Sequence, residues 1–393
     1  MKFTYKTTIV ACFVAYIVQG IVNNFIPLLF ITFQNTYGIP LSQITLLVTI
    51  NFGIQLTVDL LSTKFIDRIG YRASIMLAHG AAAAGLILLT ILPQLMDPFT
   101  GILISIAVYA IGGGILEVLV SPITEGCPTD NKEKAMSLLH SFYCWGLVGV
   151  VLLSTLFFHF FGIENWRILA VIWAIIPIAN FFVFSKTPIA PPVAEGQRGM
   201  TVKELFVNKT FWFLMVMMVC SGASEISMSQ WASAFVEKGL GVSKSIGDLA
   251  GPMTFAILQG LSRVFYGKYG DKINLDKFML YSTLLCVVTY LMIGLIDSPV
   301  ISLIAFALCG FSVGIMWPGT FSKSATALPT GGTVMFALLA LGGDLGCTTG
   351  PTLVGFVSEL FSGNLQMGFL AAIAFPVVLS ICIISNMKKA RKH

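Results

Sequence analysis

The sequence predicts an all-α membrane protein with twelve transmembrane helices in two six-helix bundles. Three observations predict it. Of the 393 residues, 56% are hydrophobic and only 10% charged, with a mean hydropathy of +0.88. A soluble domain carries roughly 25% charged residues, so this chain cannot cover a water-facing surface. Twelve apolar stretches are each long enough to cross ~30 Å of hydrocarbon as a helix. The basic residues between them also alternate between the two sides in a way that a missed or extra helix would scramble.

The predicted spans are Thr8–Phe33, Leu41–Phe65, Ala73–Leu95, Phe99–Thr124, Lys134–Phe161, Trp166–Ser185, Phe211–Glu237, Ser245–Tyr266, Lys277–Ile296, Ser298–Ser322, Thr333–Phe361 and Gln366–Ser385. The first is too long for a signal-peptide core and reads as a span. With the N-terminus cytoplasmic, 20 of the 23 Lys and Arg residues fall on the inner side, and only Arg167, Lys238 and Lys244 fall outside. That split places both termini in the cytoplasm. The tail Lys388–Lys392 reads as a topology signal that contacts anionic lipid.

The polar, proline-containing segment after the sixth span divides the chain. It predicts one bundle over 1–187, a cytoplasmic linker over 188–208 and a second bundle over 209–393. The halves are weakly self-similar. Asp67-Arg68-Ile69 follows the second span and Asp271-Lys272-Ile273 follows the eighth, with Asp59 and Arg263 eight residues upstream of Asp67 and Asp271. Gly146 falls on Gly346 at an offset of 200. Such parallel repeats are common in transporters.

The loop Asp67-Arg68-Ile69-Gly70-Tyr71-Arg72 resembles the cytoplasmic loop between the second and third helices of the major facilitator superfamily, whose pattern is Gly-x-x-x-Asp-Arg-x-Gly-Arg-Arg. Thr63 stands at the leading glycine and Tyr71 at the first closing arginine. The resemblance covers essentially the whole chain and implies the major facilitator fold. It also implies an inner gate at this loop, for which Asp59, Asp67, Arg68, Arg72, Arg263 and Asp271 are the candidates; the other reading of the loop is a solvated topology signal.

Ionisable residues at membrane depth are costly, so they usually face a cavity or a partner. Glu117, Glu225 and Asp344 are the proton-site candidates. Glu117 lies in Gly112-Gly113-Gly114-Ile115-Leu116-Glu117, followed by Pro122. This stretch resembles the fourth helix of the fucose permease-like sugar:proton symporters, where the glutamate takes part in proton coupling and sugar binding. Trp317-Pro318-Gly319-Thr320-Phe321-Ser322 resembles the same branch. Its first-helix aspartate corresponds to Asn23 here, and its fifth-helix Gln and Asn to His140 and Tyr143. Gly222-Ala223-Ser224-Glu225, leading to Trp231, resembles another sugar-transporter-like branch.

The candidate substrate-binding residues are Asn23, Gln55, Glu117, His140, Tyr143, Glu225, Trp231 and Trp317. Asn51, Gln55 and Asp59 recur every four residues and form one stripe, while Tyr16, Gln19 and Asn23, three and four residues apart, share one face of the first span. Each stripe either lines water or hydrogen-bonds between helices.

The eight cysteines have no Cys-x-x-Cys spacing and read as reduced packing residues. No metal-ligand cluster, phosphate loop or hydrolytic triad is legible, so no metal, cofactor or enzymatic activity is expected, and no nucleic-acid partner. The sequence reads as a monomeric secondary transporter of a bacterial inner membrane. It would move a sugar or sugar-like solute with protons, sodium being the other possible coupling ion. The competing readings are a proton-coupled exporter of drugs or amphipathic metabolites and a non-transporting membrane sensor.

Overall fold

The computed structural model describes residues 3–39, 41–190, 198–240 and 249–390. The predicted start of the eighth span, Ser245, and most of the linker's middle lie outside them. The elements, in order, are α1 (Tyr5–Asn24), a 3-10 turn (Ile26–Leu29), α2 (Phe30–Tyr37), α3 (Leu41–Ile69), α4 (Tyr71–Leu95), α5 (Pro98–Gly126), α6 (Lys132–Phe161), α7 (Trp166–Lys186), α8 (Val202–Val207) and α9 (Lys209–Leu240). A π turn (Leu249–Met253) then leads into α10 (Thr254–Tyr269), α11 (Leu275–Leu295), α12 (Pro299–Val313), α13 (Met316–Ala327), α14 (Gly332–Leu360), α15 (Leu365–Ala372) and α16 (Ala374–Ala390). No strand occurs among the described residues.

Ten described segments are long and apolar enough to cross a membrane. With α3 and α10, they account for the twelve predicted crossings. Three predicted spans are broken rather than straight. The first breaks at Pro27, which has no N–H to continue the helical ladder. The tenth breaks at Gly314-Ile315 and the twelfth at Ile373. Short polar residues set several helix starts. Asp97 accepts from Thr100 N at 2.9 Å, Asn274 from Lys277 N at 3.0 Å, and Thr201 forms a capping box with Glu204. Leu95, Phe160, Phe182, Phe356 and Leu360 are exposed apolar residues of the kind lipid solvates.

Two compact units divide the described contacts. The first comprises Met1–Pro128, Phe142–Gly199 and Gly332–Leu338. Its core is the packing of α4 on α5 and α7, with α1 and α3 also against α5. A buried polar tie joins three of its helices. Asn180 Nδ2 donates to Ala11 O at 2.9 Å and faces His79 Nε2 at 2.8 Å, while His79 Nδ1 lies 2.8 Å from Ile75 O. A carbonyl can only accept, so Nδ1 carries the ring proton and Nε2 accepts from Asn180.

The second unit comprises Thr129–Ser141, Met200–Gly331 and Leu339–His393. There α11 packs on α12 and α16, and α12 on α10 and α9. The offset of 200 has a counterpart inside each unit. A Cβ on Gly20 would lie 3.0 Å from the Gly146 backbone, so α1 meets α6 at a glycine. Likewise, Gly346 of α14 abuts Val219 O and Ala223 N of α9. All eight cysteines are thiols and six of them are buried.

Candidate functional site

In the first unit, the polar stripes of α1 and α3 meet each other and α5. Glycines set the approach, since Gly113 abuts Val22 and Gln55, and Gly114 abuts Gln55 and Val58. Gln55 Nε2 donates to Asn23 Oδ1 at 2.9 Å, and Asn51 Nδ2 reaches the same oxygen at 3.5 Å. One turn earlier on α1, Gln19 Nε2 donates to Glu117 Oε2 at 2.9 Å. Asp59 is fully buried, and one of its carboxylate oxygens lies within 4.8 Å of one from Glu117. Tyr16 shares a 3.2 Å hydrogen bond with Ser121, and its ring lies edge-on to Tyr143 at 6.5 Å.

In the second unit, Arg263 is 4% exposed and sits inside α10. Its Nε donates to Gly314 O at 2.8 Å and its Nη1 to His140 O at 2.9 Å. Its Nη2 meets Glu225 Oε2 at 3.5 Å, and Ser137 Oγ donates to the Arg263 carbonyl at 2.8 Å. Glu225 therefore faces a buried cation. Aromatic rings continue from this point. The His140 ring lies 5.7 Å from Phe321, and Phe321 lies edge-on to Trp317 at 6.2 Å. Trp317 covers Gly343 of α14, one residue before the half-buried Asp344. Trp231 is held by α14, its Nε1 donating to Pro351 O at 3.1 Å.

The gate candidates divide. The Asp67 side chain lies outside the described residues, and Arg68 is exposed. Arg72 donates to Phe184 O at 2.6 Å and to Thr187 O at 2.8 Å, placing its charge on the carboxyl end of α7, where the helix dipole favours a cation. Tyr71 hydrogen-bonds Thr333. Asp271 pairs with Lys134 and accepts from Asn131 Nδ2 at 3.0 Å. The Lys134 hydrogen bond, with help from Asn131, holds the Asp271 carboxyl below its ordinary range. Asp59 and Arg263 belong to the buried clusters, not to the Asp271 loop.

Sequence reasoning left Gln19 and Lys134 out of the site. Gln19 shares a helical face with Asn23, and Lys134 closes the charged run Asp130, Lys132, Glu133 and Lys134 at the start of the fifth span. A cavity of about 300 Å³ in the second unit is lined by Glu133, Asn274, Asp276, Lys323 and Asn386 among others, and by none of the predicted site residues. There Lys323 pairs with Asp276, and Tyr266 Oη donates to Glu133 at 2.7 Å.

The family model described as Major Facilitator Superfamily matches residues 8–351, and also 252–393. The chain belongs to the major facilitator superfamily. It is a multi-pass membrane transporter and not an enzyme. An uncharacterized MFS-type transporter of Yersinia pestis is 24% identical over 341 residues, covering 85% of this chain and 84% of that protein. A homolog of the multi-drug resistance efflux pump PmrA from Lactococcus lactis is 23% identical over 277 residues, covering 67% and 64%. Among solved structures, the Escherichia coli fucose:proton symporter FucP superposes with a TM-score of 0.79 at 17% identity, over 96% of this chain and 98% of that one. At that identity the likeness speaks for the fold.

Proposed function

We propose that the protein is a secondary active transporter that carries a small polar solute, sugar or sugar-like, together with protons across the cytoplasmic membrane by alternating access. The observation that carries this reading is the approach of buried Asp59 to half-buried Glu117, with Gln19 on Glu117 and the Asn23–Gln55 amide pair one turn away. Two carboxyl groups this close interact strongly, which suits a site that takes up and releases a proton. Asp59 then supplies the second acid that Asn23 cannot. The neighbouring amides, Tyr16 and Tyr143 suit a hydroxylated solute. The fold likeness to a fucose:proton symporter supports the same reading.

Both termini are cytoplasmic in this scheme, the halves 1–187 and 209–393 are the duplicated bundles, and the working form is a monomer. The relative named as an efflux pump supports a second reading, proton-coupled export of amphipathic compounds.

Reconstitution into liposomes with an imposed pH step tests the proposal. Glu117→Gln should abolish gradient-driven accumulation while sparing counterflow. If both survive, Glu117 carries no proton. The direction of solute movement relative to proton flux separates symport from export.

A further inference from the structure

The end of the linker leaves an apolar patch open beside the start of a span. The segment is already fixed to the second unit without that patch. Leu205 of α8 is fully buried, and Met200 N donates to Thr330 O at 2.8 Å. Asn208 then turns the chain into α9, its Oδ1 accepting from Thr210 N at 2.8 Å. Phe206, Val207 and Trp212 remain 43%, 78% and 47% exposed.

Trp212 sets the depth of the patch. It is the fourth residue of α9, whose apolar stretch Lys209–Ala232 is long enough to cross the membrane, so it stands about 5 Å inside the start of the span. The Phe206 ring lies 5.3 Å from the indole, and Trp212 Nε1 donates to Phe206 O at 2.7 Å. Phe206 therefore shares the depth of Trp212, although it precedes the span in sequence. That bond satisfies the one donor of the indole, so its open face can be buried in an apolar medium. One turn further along α9, Val216 is 42% exposed on the same helical face as Trp212. The patch is thus continuous with the side of α9 that lipid solvates. The charges suit a phospholipid. Residues 200–212 carry Lys203, Glu204 and Lys209, all exposed, and Glu204 Oε2 turns back to accept from Thr201 N at 2.7 Å.

We propose that this segment is a membrane anchor for anionic phospholipid. Phe206, Val207 and Trp212 enter the acyl boundary of the leaflet at which α9 begins, cytoplasmic in the orientation above, and Lys203 and Lys209 lie at its phosphates. The last turn of the linker is then held at the lipid surface rather than acting as a free tether. None of these residues belongs to the candidate solute site, so the anchor stands or falls apart from the transport reading.

The experiment uses the full-length chain lacking Cys347 and Cys382, in vesicles of phosphatidylcholine with or without one quarter phosphatidylglycerol. A nitroxide is placed at Val207→Cys, which touches no buried contact because Val207 is the most exposed of the three. A second chain carries it at Lys272→Cys, on the exposed loop after α10. Collisions with molecular oxygen, which concentrates in lipid, are compared with collisions with a water-soluble nickel chelate. The label at 207 should favour oxygen and the label at 272 the chelate. Lys203→Gln with Lys209→Gln should lower the oxygen-to-chelate ratio at 207 by about fivefold or more in the phosphatidylglycerol vesicles, and leave it unchanged in phosphatidylcholine alone. Access of the chelate to 207 equal to that at 272 places the patch in water and overturns the anchor. Exclusion of both reagents from 207 means that protein covers the patch, and overturns it equally. A lysine double variant with the same ratio in both lipids overturns the preference for anionic phospholipid.

Discussion

Asn180 carries more than its own hydrogen bonds. Its amide fixes the tautomer of His79 and ties α7 to α1 and α4 in one buried contact. Asn180→Leu fills similar volume but leaves His79 Nε2 and Ala11 O without this donor. A buried unsatisfied group costs about 1–3 kcal/mol, so the melting temperature in detergent should fall by several degrees. His79→Phe with Asn180→Leu should recover part of that loss, since both polar partners then go together. Gln19 acts at the same scale on the proton pair. Gln19→Leu removes the donor on Glu117 Oε2 and frees that carboxylate to move. Solute-driven proton uptake should therefore slow severalfold, as a fluorescent pH probe inside the liposomes would show. An unchanged rate would mean that the Gln19 contact does not position Glu117.

At the scale of elements, α5 shows why glycine is written three times in a row. A methyl group on Gly112 would sit 2.5 Å from Ala78 O and 2.8 Å from Ala82 N, both backbone atoms of α4. One on Gly113 would meet only the side chains of Val22 and Gln55, at 3.1 and 3.3 Å. Gly112→Ala should therefore destabilise by about 1–3 kcal/mol, the usual cost of overpacking. Gly113→Ala should cost less in stability but disturb the Gln55–Asn23 contact and hence solute affinity. Thermal unfolding alongside a transport KM distinguishes the two. The Asp271 loop gives a pH-dependent case. Its folded carboxyl ionises below the ordinary value of 3.8, so the Lys134 pair contributes fully above that value and fades as pH falls below it. Asp271→Asn should narrow the stability difference between pH 7 and pH 3, and only slightly, because the pair is exposed.

These elements also show what the sequence could reveal. Apolar length and basic-residue alternation identify the crossings, because membrane thickness and leaflet charge act on each stretch by itself. The breaks at Pro27 and Ile373 were harder to read, since a helix interruption depends on which neighbours re-satisfy the backbone. Asp59 and Glu117 both stand about ten residues before the carboxyl ends of α3 and α5, whereas the sequence alone sets Asp59 deeper toward the cytoplasm than Glu117. Their meeting was not legible, because it depends on Gly113 and Gly114 letting α3 approach. Arg263 stands inside the predicted eighth span and reads as a gate candidate through its spacing to Asp271. In the structure α10 runs on to Tyr269, which buries Arg263 with Gln259 and Tyr266 on one face.

For the whole molecule, orientation is the property with the most direct check. Tags at both ends should be cut by protease in inverted vesicles and protected in right-side-out ones. The state of the thiols then has a practical consequence. Of the eight, only Cys347 and Cys382 are part-exposed, and none is in a disulfide. In this conformation the chain nearly supplies its own silent background for a water-soluble maleimide. One new thiol beside Glu225 or Asn23, on a chain lacking those two native ones, would brighten or darken as each side of the membrane gains its turn at the solute. The alternation assumed above would then be visible as a labelling rate.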